Sequence, residues 1–285
     1  MDRDLQGLAD GIEAAAQKEP HPSGTEYRVL PETQARTLSA QFNCSQRQVY
    51  LAAMERSIIP KRYLRNLESL SIAEQLCLAR SRVALIGAGG LGGQAILTLA
   101  RLGIGEMVVL DPDVFEESNL NRQALCTVSQ LGRSKARVAA ETVQAVNPGV
   151  TVEAHAQRFD PDKGPGLLAG VQVVVDCLDS VEDRLALEKT ARDLGIPLVH
   201  AAIDGLLAQM MSIYPEDPGL VQLYGREPKT PASPLGNPVF APAVVSVLQA
   251  LEVMKILLGR GTIIRNSLLS LELESCRLEQ FKFSA

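Results

Sequence analysis

The feature that most constrains the fold is a glycine-rich turn between a short apolar stretch and a helix-like stretch. Gly87, Gly89 and Gly92 have the spacing G-x-G-x-x-G, with Gly90 among them, and a second apolar stretch ends at Asp111, 19 residues after Gly92. This pattern predicts a strand, a tight turn, a helix and a second strand. Such a turn lets backbone approach a phosphate, and the acid accepts hydrogen bonds from ribose hydroxyls. The stretch therefore predicts a nucleotide site.

The motif alone leaves two questions open. A turn that needs small residues only for packing would account for two of the glycines, but it would leave Asp111 unexplained. The motif also does not distinguish NAD, FAD and ATP. Residues elsewhere in the chain must narrow the choice.

The composition excludes several classes of protein. A chain of 285 residues with 46% hydrophobic residues can form one large α/β domain with attachments, or two modest domains. The net charge of −5 gives no reason to expect a nucleic-acid or membrane partner. The five cysteines form no C-x-x-C pair, and the N-terminus has no secretory signal, so we expect reduced thiols and a cytoplasmic location.

The first 60 residues differ in character from the rest and are predicted to form a helical extension. Residues 38–57 have the rhythm of a helix-turn-helix, which makes DNA binding an alternative. Residues 1–60 hold six basic and eight acidic side chains, however, and a DNA reader needs basic residues to neutralise phosphates. A small unit that packs on the main domain or binds a protein is the favoured interpretation.

Residues 61–285 are predicted to form one α/β domain that carries the nucleotide site, because strands and helices alternate along them. The expected fold is a doubly wound, Rossmann-like, mainly parallel sheet with a C-terminal antiparallel strand region. Near the C-terminus, residues 243–258 read as a helix with a polar stripe of Ser246, Gln249, Glu252 and Lys255. This stripe predicts an amphipathic helix of a soluble protein and not a membrane span.

Three groups of polar residues follow predicted strands and should meet at one edge of the sheet. They are Asn119, Arg122 and Gln123; Arg133 and Lys135; and Asp179 followed by Arg184. Cations in the first turn of a helix oppose its dipole, which is easier to understand if an anion binds there. Fixed positive charge suits a polyphosphate, and Mg²⁺ prefers one or two carboxylates plus substrate phosphates.

Each of these residues also has a simpler interpretation. Asp179 or Ser180 could cap the following helix, Asn119 could cap a loop, and Lys135 or Arg184 taken alone could be a solvated charge. Their joint occurrence after successive strands favours a role in binding. A dehydrogenase has less need of cations beyond the glycine turn, so ATP is favoured over NAD.

The motifs together resemble the ThiF/MoeB/HesA family, the bacterial relatives of ubiquitin-activating enzymes. The resemblance covers residues 62–259, in the segments RYLRN, GAGGLGG, LDPD, SNLNRQ, GRSKA, DCLDS and LQALEVMKIL. It implies a doubly wound sheet that binds ATP and Mg²⁺, usually in a homodimer. It also implies an adenylyltransferase that activates the C-terminal carboxylate of a small ubiquitin-like sulfur-carrier protein ending in Gly-Gly.

The resemblance implies a role for each matched residue. The phosphate turn would comprise Gly87, Gly89, Gly90 and Gly92. Asp111 would hold the ribose, with Asp113, Gln123 and Arg184 also in the nucleotide site; Asn119, Arg122 and Lys135 would bind the triphosphate; Asp179 would hold magnesium; and Arg65 would reach the nucleotide of the partner subunit. Arg122, Lys135, Asp179 and Arg65 would then carry the catalysis by positioning and by charge stabilisation.

The sequence departs from the family pattern in two ways. Many members hold a structural zinc with two C-x-x-C pairs, and this chain has neither, so no zinc is expected. Some members carry a cysteine in the crossover segment, which reads TPASPLGNPVFAP here, and no cysteine occurs from residue 178 to residue 275. We therefore expect the reaction to stop at the acyl adenylate.

Three alternatives stay open beside carrier activation. One is adenylation of a small carboxylate, such as that on a modified tRNA nucleoside, by a dehydratase-like relative. Another is a nucleotide-binding partner protein without turnover. The third, a nicotinamide dehydrogenase, is disfavoured by Arg122, Lys135 and Asp179.

Overall fold

The computed structural model describes residues 2–225 and 235–283. Its α-helices are α1 (Asp2–Ala15), α2 (Glu32–Gln41), α3 (Gln46–Met54), α4 (Ile72–Arg80), α5 (Gly90–Leu102), α6 (Lys135–Val146), α7 (Gly164–Leu167), α8 (Val181–Asp193), α9 (Val221–Tyr224) and α10 (Phe240–Leu258). Its strands are β1 (Gln17–Pro20), β2 (Glu26–Leu30), β3 (Ile59–Pro60), β4 (Arg82–Ile86), β5 (Glu106–Leu110), β6 (Thr151–His155), β7 (Val173–Asp176), β8 (Leu198–Asp204), β9 (Leu207–Ile213), β10 (Ser267–Glu272) and β11 (Arg277–Lys282). Short 3-10 helices cover Lys61–Asn66, Glu117–Asn119 and Val128–Gln130.

The main sheet has eight strands in the order β11-β10-β9-β8-β7-β4-β5-β6. Strands β8, β7, β4, β5 and β6 are parallel, and β9, β10 and β11 continue the sheet in antiparallel pairs. The prediction of a doubly wound, mainly parallel sheet with an antiparallel region at the C-terminus is confirmed. Successive strands run outward from β4 to β6, and the chain then returns to place β7 on the other side of β4. In an open sheet, ligands bind beyond the carboxyl ends of the strands at such a reversal.

The middle residues of the central strands are apolar because both faces of the sheet are covered. Leu85 and Val109 contribute to the core on one face, where α5 and α10 pack against each other. Ala84 and Val108, one position earlier in each strand, contribute to the core on the other face, where Leu187 of α8 lies. This alternation leaves the strand ends as the place where polar side chains gather.

The N-terminal region contains more than helices. Strands β1 and β2 pair antiparallel, and β2 pairs parallel with β3, so three helices pack beside a small sheet. The sequence interpretation named helices alone and missed these strands, which are only two to five residues long. The core of this region also runs beyond residue 60, because Tyr63, Leu64 and Ala79 belong to it. The division of the chain at residue 60 stays a prediction.

Polar contacts join the N-terminal region to the main sheet. Arg62 is paired with Glu32 at 2.8 Å and donates a hydrogen bond to the carbonyl of Val146 at 2.9 Å. The side-chain amide of Asn147 donates to Tyr63 Oη at 2.7 Å. Arg62 and Tyr63, the first two residues of the RYLRN segment, therefore hold the N-terminal region against the main sheet.

Helix α10 buries the face that its sequence interpretation assigned to solvent. It meets the length and apolarity expected of a membrane-crossing helix, with a mean hydropathy of 1.7, and it packs on α5, β8 and β9. Its polar residues Ser246, Gln249 and Glu252 are buried, while its exposed face carries an apolar stripe. That stripe consists of Phe240, Val244, Val247 and Leu251, which are 41 to 62% exposed. The periodicity was read correctly, but the polar side faces inward.

Candidate nucleotide site

A cavity of about 600 Å³ opens at the carboxyl ends of β4, β5 and β7, at the strand-order reversal. Nearly all of the residues chosen from the sequence line it. They are Gly87, Gly89, Gly90, Asp111, Asp113, Arg122, Gln123, Lys135, Asp179 and Arg184. Gly92, Asn119 and Arg65 do not line it.

The glycines of the turn differ in whether a side chain would fit at their position. Gly87 has a φ of +103°, and a Cβ there would lie 2.5 Å from the carbonyl oxygen of Cys177. A Cβ on Gly92 would lie 1.8 Å from the carbonyl oxygen of Gly87. Gly87 and Gly92 are thus required by the turn itself. Gly89 and Gly90 have room for a Cβ, so they are the positions where bare backbone faces the cavity.

Asp111 is buried and organises the turn. Its Oδ2 accepts a hydrogen bond from the backbone N–H of Ala88 at 2.7 Å, and its Oδ1 accepts from that of Asp113 at 2.8 Å. Burial raises the pKa of Asp111, and the two backbone hydrogen bonds oppose that shift. The carboxylate therefore ties the end of β5 to the glycine turn while facing the cavity.

The two cations at the start of α6 point to different places, and only Lys135 lies in the first turn, because Arg133 precedes the N-cap Ser134. Lys135 is 8% exposed, lines the cavity, and places Nζ 3.0 Å from Asp113 Oδ2. Arg133 is instead exposed and paired with Glu141 at 2.6 Å. The alternative of a solvated charge is wrong for Lys135 and describes Arg133 well.

The segment after β5 contributes Arg122 and Gln123 to the cavity wall, but not Asn119. Arg122 donates to the carbonyl of Ser118 at 2.9 Å and lies on the cavity wall. Gln123 is buried, and its Oε1 has no hydrogen-bond partner among the described residues. Asn119 is buried too, but its Oδ1 accepts from the backbone of Glu116 at 3.1 Å, so here it caps a loop. A buried, unpartnered amide beside the cavity fits a site that a ligand completes.

Asp179 stands exposed on the cavity wall, and its neighbour caps the helix. Ser180 Oγ accepts from the backbone N–H of Asp183 at 3.1 Å and forms the N-cap of α8. Asp179 therefore does not serve as that cap. No cluster of three potential metal ligands occurs among residues 2–225 and 235–283. An exposed carboxylate on the wall of the cavity fits Mg²⁺, which takes most of its remaining ligands from phosphates and water.

A buried hydrogen-bond network behind the cavity was missed by the sequence interpretation. Asp176 Oδ2 lies 2.6 Å from His200 Nδ1, and His200 Nε2 lies 3.1 Å from Tyr224 Oη. Tyr224 Oη also accepts from Arg184 Nη1 at 3.0 Å. Burial lowers the pKa of His200, and its hydrogen bond to Asp176 opposes that shift. The one available signal was a histidine within the otherwise apolar run of residues 198–203.

The far end of the cavity is formed by the antiparallel strands and by the chain that leads into α10. Ala202, Leu207 and Gln209 line it, together with Asn237. The backbone N–H of Gly205 donates to the carbonyl of Gly236 at 2.9 Å. The end of the crossover segment thus lies beside the cavity, while its residues 230–234 are outside the described part of the chain.

Comparison with known proteins agrees with this geometry. The family model described as "ThiF family" matches residues 62–285. The chain belongs to the ThiF family. It is 40% identical over 196 residues to the SAMP-activating enzyme E1 of Haloferax volcanii, covering 67% of this chain and 73% of that protein. It is 37% identical over 194 residues to the sulfur carrier protein adenylyltransferase of Thermus thermophilus, covering 65% and 72%.

Not every ThiF relative has the same length. The chain spans about half the length of several other curated relatives, with 43 to 49% of those proteins covered. Among solved structures, Escherichia coli MccB bound to MccA-N7isoASN has a TM-score of 0.68 at 18% identity. That likeness covers 98% of this chain and 88% of the MccB chain, so the shared fold includes the N-terminal region.

Proposed function

We propose that this ThiF-family chain is an ATP-dependent adenylyltransferase that activates the C-terminal carboxylate of a small ubiquitin-like sulfur-carrier protein. The observation that carries the proposal is the cavity at the strand reversal. It brings Lys135, Arg122 and Asp179 together beside the open backbone of Gly89 and Gly90. The names of the relatives from Haloferax volcanii and Thermus thermophilus support the same reaction class.

The reaction needs no protein nucleophile. A carboxylate oxygen of the acceptor attacks the α-phosphorus of ATP, the bond from that phosphorus to the bridging oxygen breaks, and pyrophosphate leaves with the electron pair. Arg122 and Lys135 would stabilise negative charge on the phosphate oxygens, and Asp111 would hold the ribose. Asp179 would hold Mg²⁺, which supplies further positive charge to the phosphates when bound.

The far end of the cavity suits the narrow tail of a carrier. Its wall includes the small side chain of Ala202 and the polar side chain of Gln209. A tail that ends in Gly-Gly has no side chains to clash there, and its terminal carboxylate would point toward the phosphates. Cofactor or sulfur-metabolite synthesis is the pathway class in which such a carrier would act.

The product of this chain would be the acyl adenylate itself. Cys177 is the cysteine on the cavity wall, and burial raises its pKa well above the usual range. A thiol that resists ionisation is a poor nucleophile. The five cysteines are all unpaired, which fits a reducing compartment and supports a cytoplasmic location.

A homodimer is also part of the proposal. The apolar stripe of α10 is an exposed surface of the kind that subunit interfaces cover. Arg65 is exposed in the 3-10 helix Lys61–Asn66 and does not line the cavity of its own chain, so it is available to a neighbouring subunit. Two copies related by a twofold axis would present the same stripe to each other.

The experiment that tests the function is ATP–pyrophosphate exchange with purified candidate carriers. We expect exchange that depends on the carrier and on its C-terminal carboxylate, and that Asp179→Ala and Arg122→Ala abolish. Arg133→Ala is the matched control, because Arg133 pairs with Glu141 outside the cavity. Exchange supported by a small carboxylate instead of any carrier would favour the dehydratase-like alternative. ATP binding without exchange would favour a partner protein without turnover.

A further inference from the structure

Arg184 is held at the cavity wall by contacts that use only part of its guanidinium. Its Nε and Nη2 donate to the carbonyl of Leu178 at 3.1 and 2.6 Å, and its Nη1 donates to Tyr224 Oη at 3.0 Å. A guanidinium has five N–H groups in a fixed plane. The contacts with Leu178 and Tyr224 therefore fix that plane and use three of the five.

The hydrogen bonds at Tyr224 have a defined direction. Its oxygen receives N–H groups from Arg184 and, at 3.4 Å, from Gln209 Nε2. Neither of these groups can accept the phenol proton. Among the described residues, the neighbour that can accept the phenol proton is His200 Nε2 at 3.1 Å, so we assign the phenol O–H as donor to it.

This direction assigns the ring proton of His200 to Nδ1. An Nε2 that accepts a hydrogen bond carries no proton, so the neutral ring must be protonated on Nδ1. That N–H points to Asp176 Oδ2 at 2.6 Å, and the other oxygen of Asp176 accepts from the backbone N–H of Leu178 at 3.0 Å. His200 and Asp176 are fully buried, so water does not compete with these bonds.

We propose that Asp176, His200 and Tyr224 form a buried relay that positions Arg184 in the nucleotide cavity, with His200 fixed as the Nδ1–H tautomer. This inference rests on the proposed function for what Arg184 binds, namely an anionic group of the substrates. The three residues are positioning residues, because they act through Arg184. Helix α9, which carries Tyr224, is anchored separately, because Glu188 Oε2 accepts a hydrogen bond from the backbone N–H of Leu220 at 2.8 Å.

The first test reads the tautomer and does not depend on any activity. The chain has three histidines, so ¹⁵N-histidine labelling and long-range ¹H–¹⁵N correlation give three ring patterns. At pH 7.5 we expect one neutral Nδ1–H ring, which disappears in His200→Gln. An Nε2–H or a charged ring at His200 would overturn the relay.

The second test asks whether Tyr224 acts through Arg184. We expect Tyr224→Phe to weaken binding of Mg·ATP about tenfold, since a hydrogen bond to a charged group is lost. Tyr214→Phe is the control, because this tyrosine does not line the cavity and its ring lies under Arg265 at 4.4 Å. In an Arg184→Gln background, Tyr224→Phe should cost nothing further.

The third test compares the binding of Mg·ATP by two variants of His200. His200→Gln keeps an acceptor near the position of Nε2 and should bind Mg·ATP more tightly than His200→Asn, which cannot reach Tyr224. Equal losses in both variants, or additive losses for Tyr224→Phe and Arg184→Gln, would reduce the network to a purely structural role and overturn the proposal. A wild-type chain that binds no Mg·ATP would overturn the proposed function, and the tautomer would still decide the relay.

Discussion

Lys135 Nζ lies 3.0 Å from Asp113 Oδ2, with the lysine side chain almost buried and the aspartate largely exposed. The ammonium is thus held at the mouth of the cavity by a carboxylate that solvent still reaches. An anionic ligand that enters can share this charge at little cost of reorganisation.

Lys135→Met should therefore weaken binding of Mg·ATP at least tenfold, which is the scale of one lost charge-assisted hydrogen bond. Methionine keeps the apolar stem, so we expect little change in thermal stability. Isothermal titration with Mg·ATP measures the affinity. Arg133→Met is the control two residues earlier, because its partner is Glu141 outside the cavity. Equal losses in the two variants would contradict the assignment.

The two kinds of glycine in the turn predict opposite effects of alanine. Gly92→Ala should lower the melting temperature by about 3–10 °C, because its Cβ would collide with the carbonyl of Gly87 and overpacking costs about 1–3 kcal/mol. Gly90→Ala meets nothing closer than 3.5 Å and should leave stability unchanged. Because Gly90 lines the cavity, that variant should instead weaken Mg·ATP binding. Differential scanning calorimetry and titration separate the two effects.

A shared active site predicts complementation between inactive subunits. Arg65→Ala and Asp179→Ala should each lose carrier-dependent exchange. Mixed after subunit exchange, they should recover roughly a quarter of wild-type activity, since half of the dimers are mixed and each has one intact site. Val247→Lys, placed in the apolar stripe of α10, should give a monomeric mass by light scattering and no complementation. Full activity of that monomer would contradict both the dimer and the role of Arg65.

The sequence predicted the location of those cavity residues whose positions follow from local spacing along the chain. Asp111 follows its strand, and Lys135 begins its helix, so the parallel sheet brings both to one edge. The same reasoning did not distinguish two roles for Asn119, which caps a loop here, since an asparagine that caps a loop and one that binds phosphate have the same local pattern. Arg184 alone looked like a solvated charge because its partner Tyr224 is 40 residues away in sequence.

Two other features depend on tertiary packing that no local pattern contains. The link from Asp176 to His200 requires β7 and β8 to be neighbours, and that is a property of the strand order. Helix α10 has the expected period, but periodicity does not say which side is buried. Its polar side is buried because Gln249 donates to the carbonyls of Asp176 and Val199, and Glu252 accepts from Ser212.

The absence of zinc cysteines predicts that chelators leave the chain intact. The segment after β9 is held by Arg265, which bonds Asp217 at 2.9 Å and also pairs with Glu216. EDTA should leave the melting temperature unchanged, and elemental analysis should find no zinc. Arg265→Gln should lower the melting temperature by about 2–6 °C, a value reduced because the arginine is partly exposed. Lys189→Gln, which breaks an exposed pair with Asp193, is the control and should cost less. One zinc per chain would contradict this prediction.

The buried His200 predicts a loss of stability in mild acid. Burial lowers the pKa of its ring in the folded state, while the unfolded chain keeps a value of about 6.5. Below that value the unfolded state binds a proton that the folded state does not, so the free energy of unfolding falls as the pH falls. Asp176 favours the charged ring and Arg184 opposes it, with Glu188 a weaker favourable contribution, and burial outweighs their sum. Melting temperatures measured between pH 7.5 and pH 5.5 should therefore decline, and His200→Gln should flatten the decline because glutamine takes up no proton. A decline of equal slope in that variant would place the acid sensitivity elsewhere in the chain.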